Sequence, residues 1–108
     1  MGLQLSNNAT AIIPLEIAST DTTFSVETDS GAIFPTLGAT DYFNAVIVSP
    51  LGNFEIVQVT ARAGDIFTVS RGQEGTVAIP FPANSRIELR VTVANVRNVL
   101  DELNILLL

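Results

Sequence analysis

The sequence predicts a mainly β fold, a small antiparallel β-sandwich or barrel-like domain that ends in a C-terminal α-helix. Three observations lead there. Short apolar runs recur along the chain, most of them alternating with period two. Turn-forming residues separate them at short intervals, as in Ser49-Pro50-Leu51-Gly52-Asn53 and Arg62-Ala63-Gly64-Asp65. From Thr92 onward the period changes from two to a heptad.

Taken in order, Ala9, Ala11, Ile13, Leu15 and Ile17 fall on one side of a strand, and Pro14 assigns it to an edge because it cannot donate to a ladder. Ser19-Thr20-Asp21 then turns the chain into Thr22–Val26, with Phe24 and Val26 on one face, so a hairpin of these two strands is expected. Residues 29–40 carry Gly31, Pro35 and Gly38 and read as a surface loop pinned by Phe34 and Leu37. Tyr42–Val48 is apolar on both faces, as a central strand requires. It opens a three-strand meander completed by Phe54–Ala61 and Ile66–Ser70. Ser85–Thr92 alternates with Ile87, Leu89 and Val91 inward and Arg86, Glu88 and Arg90 outward.

Thr92 can cap a helix whose apolar residues Val93, Val96, Leu100, Leu103 and Leu107 form a heptad seam. Asn95, Arg97, Asn98, Asp101, Glu102 and Asn104 fill most of its other face. Two heptads do not hold a helix by themselves, so the seam needs a partner. It can dock on the chain's own sheet or pair with copies of itself, and self-association is the preferred expectation. The domain division is therefore residues 1–92, a β-domain with an N-terminal arm, and residues 93–108, an oligomerising or docking helix. In the arm, Leu3 and Leu5 are expected to rest on a neighbour. The start MGLQLS also fits the loose N-myristoylation pattern on Gly2, but the apolar-arm reading is preferred.

Composition removes several functions. The 108 residues suit one domain, and 47% are apolar against 15% charged, so a single packed core is expected. There is no Cys and no His, which takes away disulfides, the commonest zinc ligands and the commonest general base. The formal charge of −6 opposes binding to a phosphate backbone. No segment has the length of a membrane span or the pattern of a secretory signal, and the chain is expected to be soluble when made. No enzyme, cofactor or metal is expected. Glu55, Asp65 and Glu74 lie near one another in sequence, but a glycosidase pair also wants aromatic sugar platforms, and the chain has no Trp and one Tyr. They read instead as solvated hairpin acids or partners for Arg62, Arg71 and Arg86. Asp21, Glu27, Asp29 and Asp41 match no calcium loop. Ser19, Thr20, Thr22 and Thr23 lack a base to activate them.

Arg71-Gly72-Gln73-Glu74-Gly75-Thr76 is the most distinctive segment. Its glycines, three residues apart, permit positive φ and point to a compact structural loop of Arg71, Gly72 and Gly75. A phosphate cradle would open a helix and bring a Lys, and neither is present. The run FEIVQVTARAGDIFTVSRGQEGTVAIPFPANSRIELRVT, residues 54–92, resembles a segment recurring in tailed-bacteriophage tail-fibre and baseplate-associated proteins. The similarity extends over roughly residues 34–96, with Arg71–Thr76 its specific part. It implies a virion β-domain, made in the host cytoplasm, that attaches or connects fibre, baseplate or collar components. Its partners would be other virion proteins, in a homo-oligomer with a trimer favoured, as fibres are commonly trimeric. Fibre chains usually run on into a shaft and tip, whereas this one stops at Leu108, so a short adaptor or a head piece is expected. A capsid decoration protein is the alternative. A carbohydrate-binding module ranks lower because Phe24, Phe34, Phe43, Phe54, Phe67 and Phe81 fall mostly at expected core positions.

Overall fold

A computed structural model describes the backbone of residues 2–3 and the whole of residues 9–89. The C-terminal helix expected over residues 93–108, and the boundary before it, lie outside the described residues. Within them the chain forms one sheet of seven strands: β1 (Gly2–Leu3), β2 (Thr10–Ile13), β3 (Thr23–Ser25), β4 (Asp41–Val48), β5 (Phe54–Ala63), β6 (Ile66–Gln73) and β7 (Ser85–Leu89). A single 3-10 turn, Ser30–Ile33, interrupts the loop between β3 and β4.

The strands run in the order β2-β7-β4-β5-β6-β3, every neighbour antiparallel, and the sheet curls into a nearly closed barrel. β1 adds a short parallel pairing on β4, with Gly2 opposite Asp41 and Leu3 opposite Tyr42. The meander β4-β5-β6 agrees with its sequence reading. The first hairpin does not: β2 pairs with β7 and β3 with β6, so the two strands end up at opposite edges. The intervening residues 14–22 explain this, because they are too many for a tight turn. In this stretch Ile17 exchanges backbone hydrogen bonds of 2.9 Å with Phe81. The backbone N–H of Glu27 then donates to the carbonyl of Ile12 on β2 (3.0 Å), drawing the two edges together.

Alternation decides what fills the barrel. Phe43, Ala45 and Ile47 of β4, Val57 and Val59 of β5, Phe67 and Val69 of β6, and Ile87 of β7 all point inward and are buried. Phe67 is the hub of the aromatic packing. Its ring centroid lies 5.0 Å from Phe34, edge to face, 5.8 Å from Phe24 and 6.2 Å from Phe43. These are the separations at which ring quadrupoles attract. Two expected core residues lie outside. Leu15 is 74% exposed because the strand ends at Ile13, before Pro14 can carry the alternation on, and Phe54 is 57% exposed beside the β4–β5 turn.

The loop after β3 is stitched to the β5–β6 hairpin. The Asp65 carboxylate accepts the N–H groups of Asp29 and Gly31, each at 2.9 Å, and so caps the 3-10 turn. The Arg62 guanidinium donates to the carbonyls of Pro35 (3.1 Å) and Gly64 (2.9 Å). This fastening allows Phe34 to enter the core, where it stacks on Phe43 at 5.7 Å. Gly31 lies so close to the hairpin that a Cβ there would overlap the Gly64 carbonyl oxygen and stand 2.9 Å from the Cα of Asp65. Gly31→Ala is therefore expected to lift the loop off the hairpin and cost about 2–3 kcal/mol, read as a lower urea midpoint at an unchanged slope.

Candidate functional site

The Arg71–Thr76 segment begins inside a strand, because Arg71, Gly72 and Gln73 belong to β6. Ile56 pairs with Gln73 and Gln58 with Ser70, so Arg71 and Gly72 together face the single residue Val57 of β5. This is a β-bulge, and Gly72, at φ 61°, holds the left-handed conformation such a bulge needs. Gly75 stands at φ 83° and Glu74 at φ 52°, and the Thr76 N–H returns to the Gln73 carbonyl at 3.0 Å. Two positive φ values in succession are those of the turn that matches strand twist. The Thr76 hydroxyl lies 2.7 Å from the Gln73 carbonyl and accepts the Ile56 N–H at 3.1 Å, which fastens the turn to β5.

The bulge aims Arg71 into the protein, where it meets Glu55. The Glu55 side chain is fully buried and that of Arg71 is 6% exposed. Nε and Nη2 of the guanidinium grip the two carboxylate oxygens at 2.7 and 2.8 Å. Nη1 donates to the carbonyls of Ala18 (2.8 Å) and Asp21 (2.7 Å), and Nη2 also donates to that of Ile79 (2.7 Å). A guanidinium has five N–H donors, and all of them are engaged. The carboxylate is equally filled, since Oε2 also accepts the Gly72 N–H (2.8 Å) and Oε1 the Ile79 N–H (3.0 Å).

Burial pushes the Glu55 carboxyl upward, but the Arg71 hydrogen bond, the Ile79 and Gly72 N–H groups and the Arg71 charge together outweigh it and hold the group below its ordinary value of 4.5. Glu55 is thus a charged structural anchor. Of the two readings that the sequence left open for it, a solvated hairpin acid or a partner for an arginine, the second holds: Glu55 is the buried partner of Arg71. Its signal in the sequence was parity, because Glu55 alternates with the inward Val57 and Val59, and Arg71 with Phe67 and Val69.

Two further acids, Asp21 and Asp41, also serve the backbone. Oδ2 of Asp21 accepts the Ala18 N–H, and Oδ2 of Asp41 accepts that of Gly38, each at 2.9 Å or less. Among the described residues, no three His, Cys, Asp or Glu side chains gather as a cation site. The proposed interface residues Leu5, Val93, Val96, Leu100, Leu103 and Leu107 lie outside the described residues, and Leu3 is placed only through its backbone in β1.

Two outcomes follow. A carboxylate held below its ordinary value stabilises the fold above pH about 4.5, and that contribution disappears as pH falls through the lowered folded-state value. Glu55→Gln should consequently lower stability at neutral pH and flatten its decline on the acid side, measured by thermal melts between pH 3 and 7. In the bulge, a Cβ on Gly72 would meet the Thr76 carbonyl at 3.2 Å and the Ala78 nitrogen at 3.3 Å, while one on Gly75 would meet nothing within 4 Å. Gly72→Ala is expected to cost about 2–3 kcal/mol and Gly75→Ala about 1 kcal/mol in urea unfolding.

No protein-family model matches this sequence, and no curated protein is significantly similar to it.

Proposed function

We propose that this chain is a structural protein of a tailed-bacteriophage virion, attaching or connecting fibre, baseplate or collar components. The observation that carries this reading is the fate of the segment through which the chain resembles fibre and baseplate proteins. Arg71 spends every donor on the chain itself, and Glu55 accepts four bonds from within it. The segment that gives the resemblance its specificity is thus a scaffold device, which suits a domain whose work is to hold a shape and be held by neighbours. Trimeric symmetry stands on the resemblance alone. Capsid decoration is the alternative placement within the virion.

Exposed apolar side chains at one end of the sheet supply a docking surface for this role. Leu51 and Phe54 flank the β4–β5 turn at 88% and 57% exposure. Val77, 74% exposed, follows Thr76, whose hydroxyl is bonded to Ile56 nearby. A contact built on such residues and on the arm residues Leu3 and Leu5 is driven by apolar burial, so it should survive about 1 M salt, where charges are screened within about 3 Å. Purified protein mixed with particles lacking it should co-sediment at that salt, and the combined Leu51→Ser and Phe54→Ser variant should bind at least several-fold more weakly. Absence of co-sedimentation together with saturable binding to a glycan array would replace this reading with carbohydrate binding.

A further inference from the structure

Between β2 and β3 the barrel wall is open, and both ends of the opening are fixed. At one end the Glu27 N–H reaches the Ile12 carbonyl at 3.0 Å, and at the other the Asp21 N–H returns to the Ala18 carbonyl at 3.1 Å. Arg71 holds this second end by donating to the Ala18 and Asp21 carbonyls. Among the described residues, no backbone hydrogen bond joins residues 13–17 to residues 21–25 across the gap. β3 turns a free sheet edge toward it. The Val26 N–H donates to the Asp65 carbonyl at 2.9 Å and the Val69 N–H to the Thr22 carbonyl at 2.8 Å. Antiparallel pairing alternates, so Thr22, Phe24 and Val26 direct their main-chain groups to β6, while Thr23 and Ser25 direct theirs away from it. Two N–H and two C=O groups, on two exposed residues, are thus left without a partner among the described residues. An edge of this kind is a template for a further strand.

The gap is a groove of about 370 Å³. Buried Ile13, Ile17 and Phe24 line it, and Leu15 and Ile66 flank it at 74 and 52% exposure. It adjoins a second hollow of about 520 Å³ along Pro80, Phe81 and Pro82, because Glu16, Ile17 and Asp21 line both. The two carboxylates therefore stand where the hollows meet. That of Glu16 is exposed and has no hydrogen bond or ion pair among the described residues, and Asp21 uses one of its oxygens, for the Ala18 N–H.

We propose that an extended segment of another protein adds to β3 as a further strand, with an apolar side chain in the groove beside Phe24 and a basic side chain against Glu16 and Asp21. A residue directly opposite Phe24 on the added strand shares its face, which is the face that the groove opens on. The free carboxylate asks for a cation, and charge selects against a second copy as its source. The chain carries −6, and the three arginines among the described residues are bonded within it, Arg62 to the Pro35 and Gly64 carbonyls, Arg71 to Glu55 and Arg86 to Glu88. Both ends of the groove are tied before anything binds, so a partner meets a preformed edge. This surface shares no residue with the turn carrying Leu51 and Phe54, and the inference stands independently of the virion reading.

Amide NMR of the full-length protein tests this residue by residue. Without a partner, the Thr23 and Ser25 amide protons should exchange with solvent at least about tenfold faster than those of Phe24 and Val26, which bond to β6. The probe is the peptide Gly-Thr-Val-Arg-Val-Thr-Gly, blocked at both ends. At millimolar concentration it should shift the Thr23 and Ser25 amide resonances saturably and slow their exchange several-fold. The same peptide methylated on its backbone nitrogens should not bind, and glutamate in place of its arginine should weaken binding about tenfold. Glu16→Lys, at an exposed position, should reverse that preference while leaving the urea midpoint unchanged. No saturable shift at Thr23 and Ser25, equal binding of the methylated peptide, or equal affinity for the arginine and glutamate peptides would each overturn the proposal. Slow exchange at Thr23 and Ser25 before any peptide is added would overturn it as well, and would assign the edge to a second copy where dilution restores fast exchange.

Discussion

Arg71 and Glu55 are opposite charges withdrawn from water, and the desolvation of such a pair costs several kcal/mol per ion before anything is gained. Apolar residues of similar volume often do as well or better at holding a core together. What they could not do here is satisfy the backbone. The pair terminates three carbonyls, those of Ala18, Asp21 and Ile79, and two N–H groups, those of Gly72 and Ile79. These come from three segments that lack ladder partners where they meet, and each group left unmade in a buried setting costs about 1–3 kcal/mol. The ion pair works as a connector for irregular chain, and the bulge at Gly72 exists to aim it.

The same logic recurs at the other end of the barrel. A sheet that does not fully close leaves edge groups and a loose loop between its first and last strands. Glu27 ties that seam to Ile12, and Asp65 and Arg62 hold the loop down on the β5–β6 hairpin. Glu27 makes its tie through its own backbone N–H, whereas the charged side chains of Asp65 and Arg62 reach main-chain atoms of the loop about thirty residues away in sequence. The barrel's regular ladders supply the layers, and a few charged residues fix the irregular chain that joins them.

Much of this was legible in the sequence. The central strand follows from a run apolar on both faces, and the meander and the inward Ile87 and Leu89 of β7 follow from turn chemistry and alternation. Phe34 and Leu37 were recognisable as anchors because large apolar residues in a Gly- and Pro-rich loop need somewhere to go. Strand pairing was not legible for β2 and β3, since both edges seek partners far away in sequence and local turn chemistry says nothing about that choice. Leu15 was misplaced because Pro14 ends the ladder one step before it. For Glu55 the pairing with an arginine was legible, but its burial was not. Charge argued for water and parity argued for the interior, and parity prevailed because Arg71 shares it on the neighbouring strand.

That competition bears on how the Arg71–Thr76 segment should be read wherever it occurs. A charged, glycine-containing run invites assignment as a binding loop, because exposed Arg and Glu are the usual means of recognition. Here the Arg is consumed, the first Gly forms the bulge that directs it, and the Thr fastens the turn to β5. The Gln73 amide also bonds within the segment, donating to the Arg71 carbonyl at 3.1 Å. A segment whose Arg, Gln and Thr side chains all bond within the fold constrains architecture.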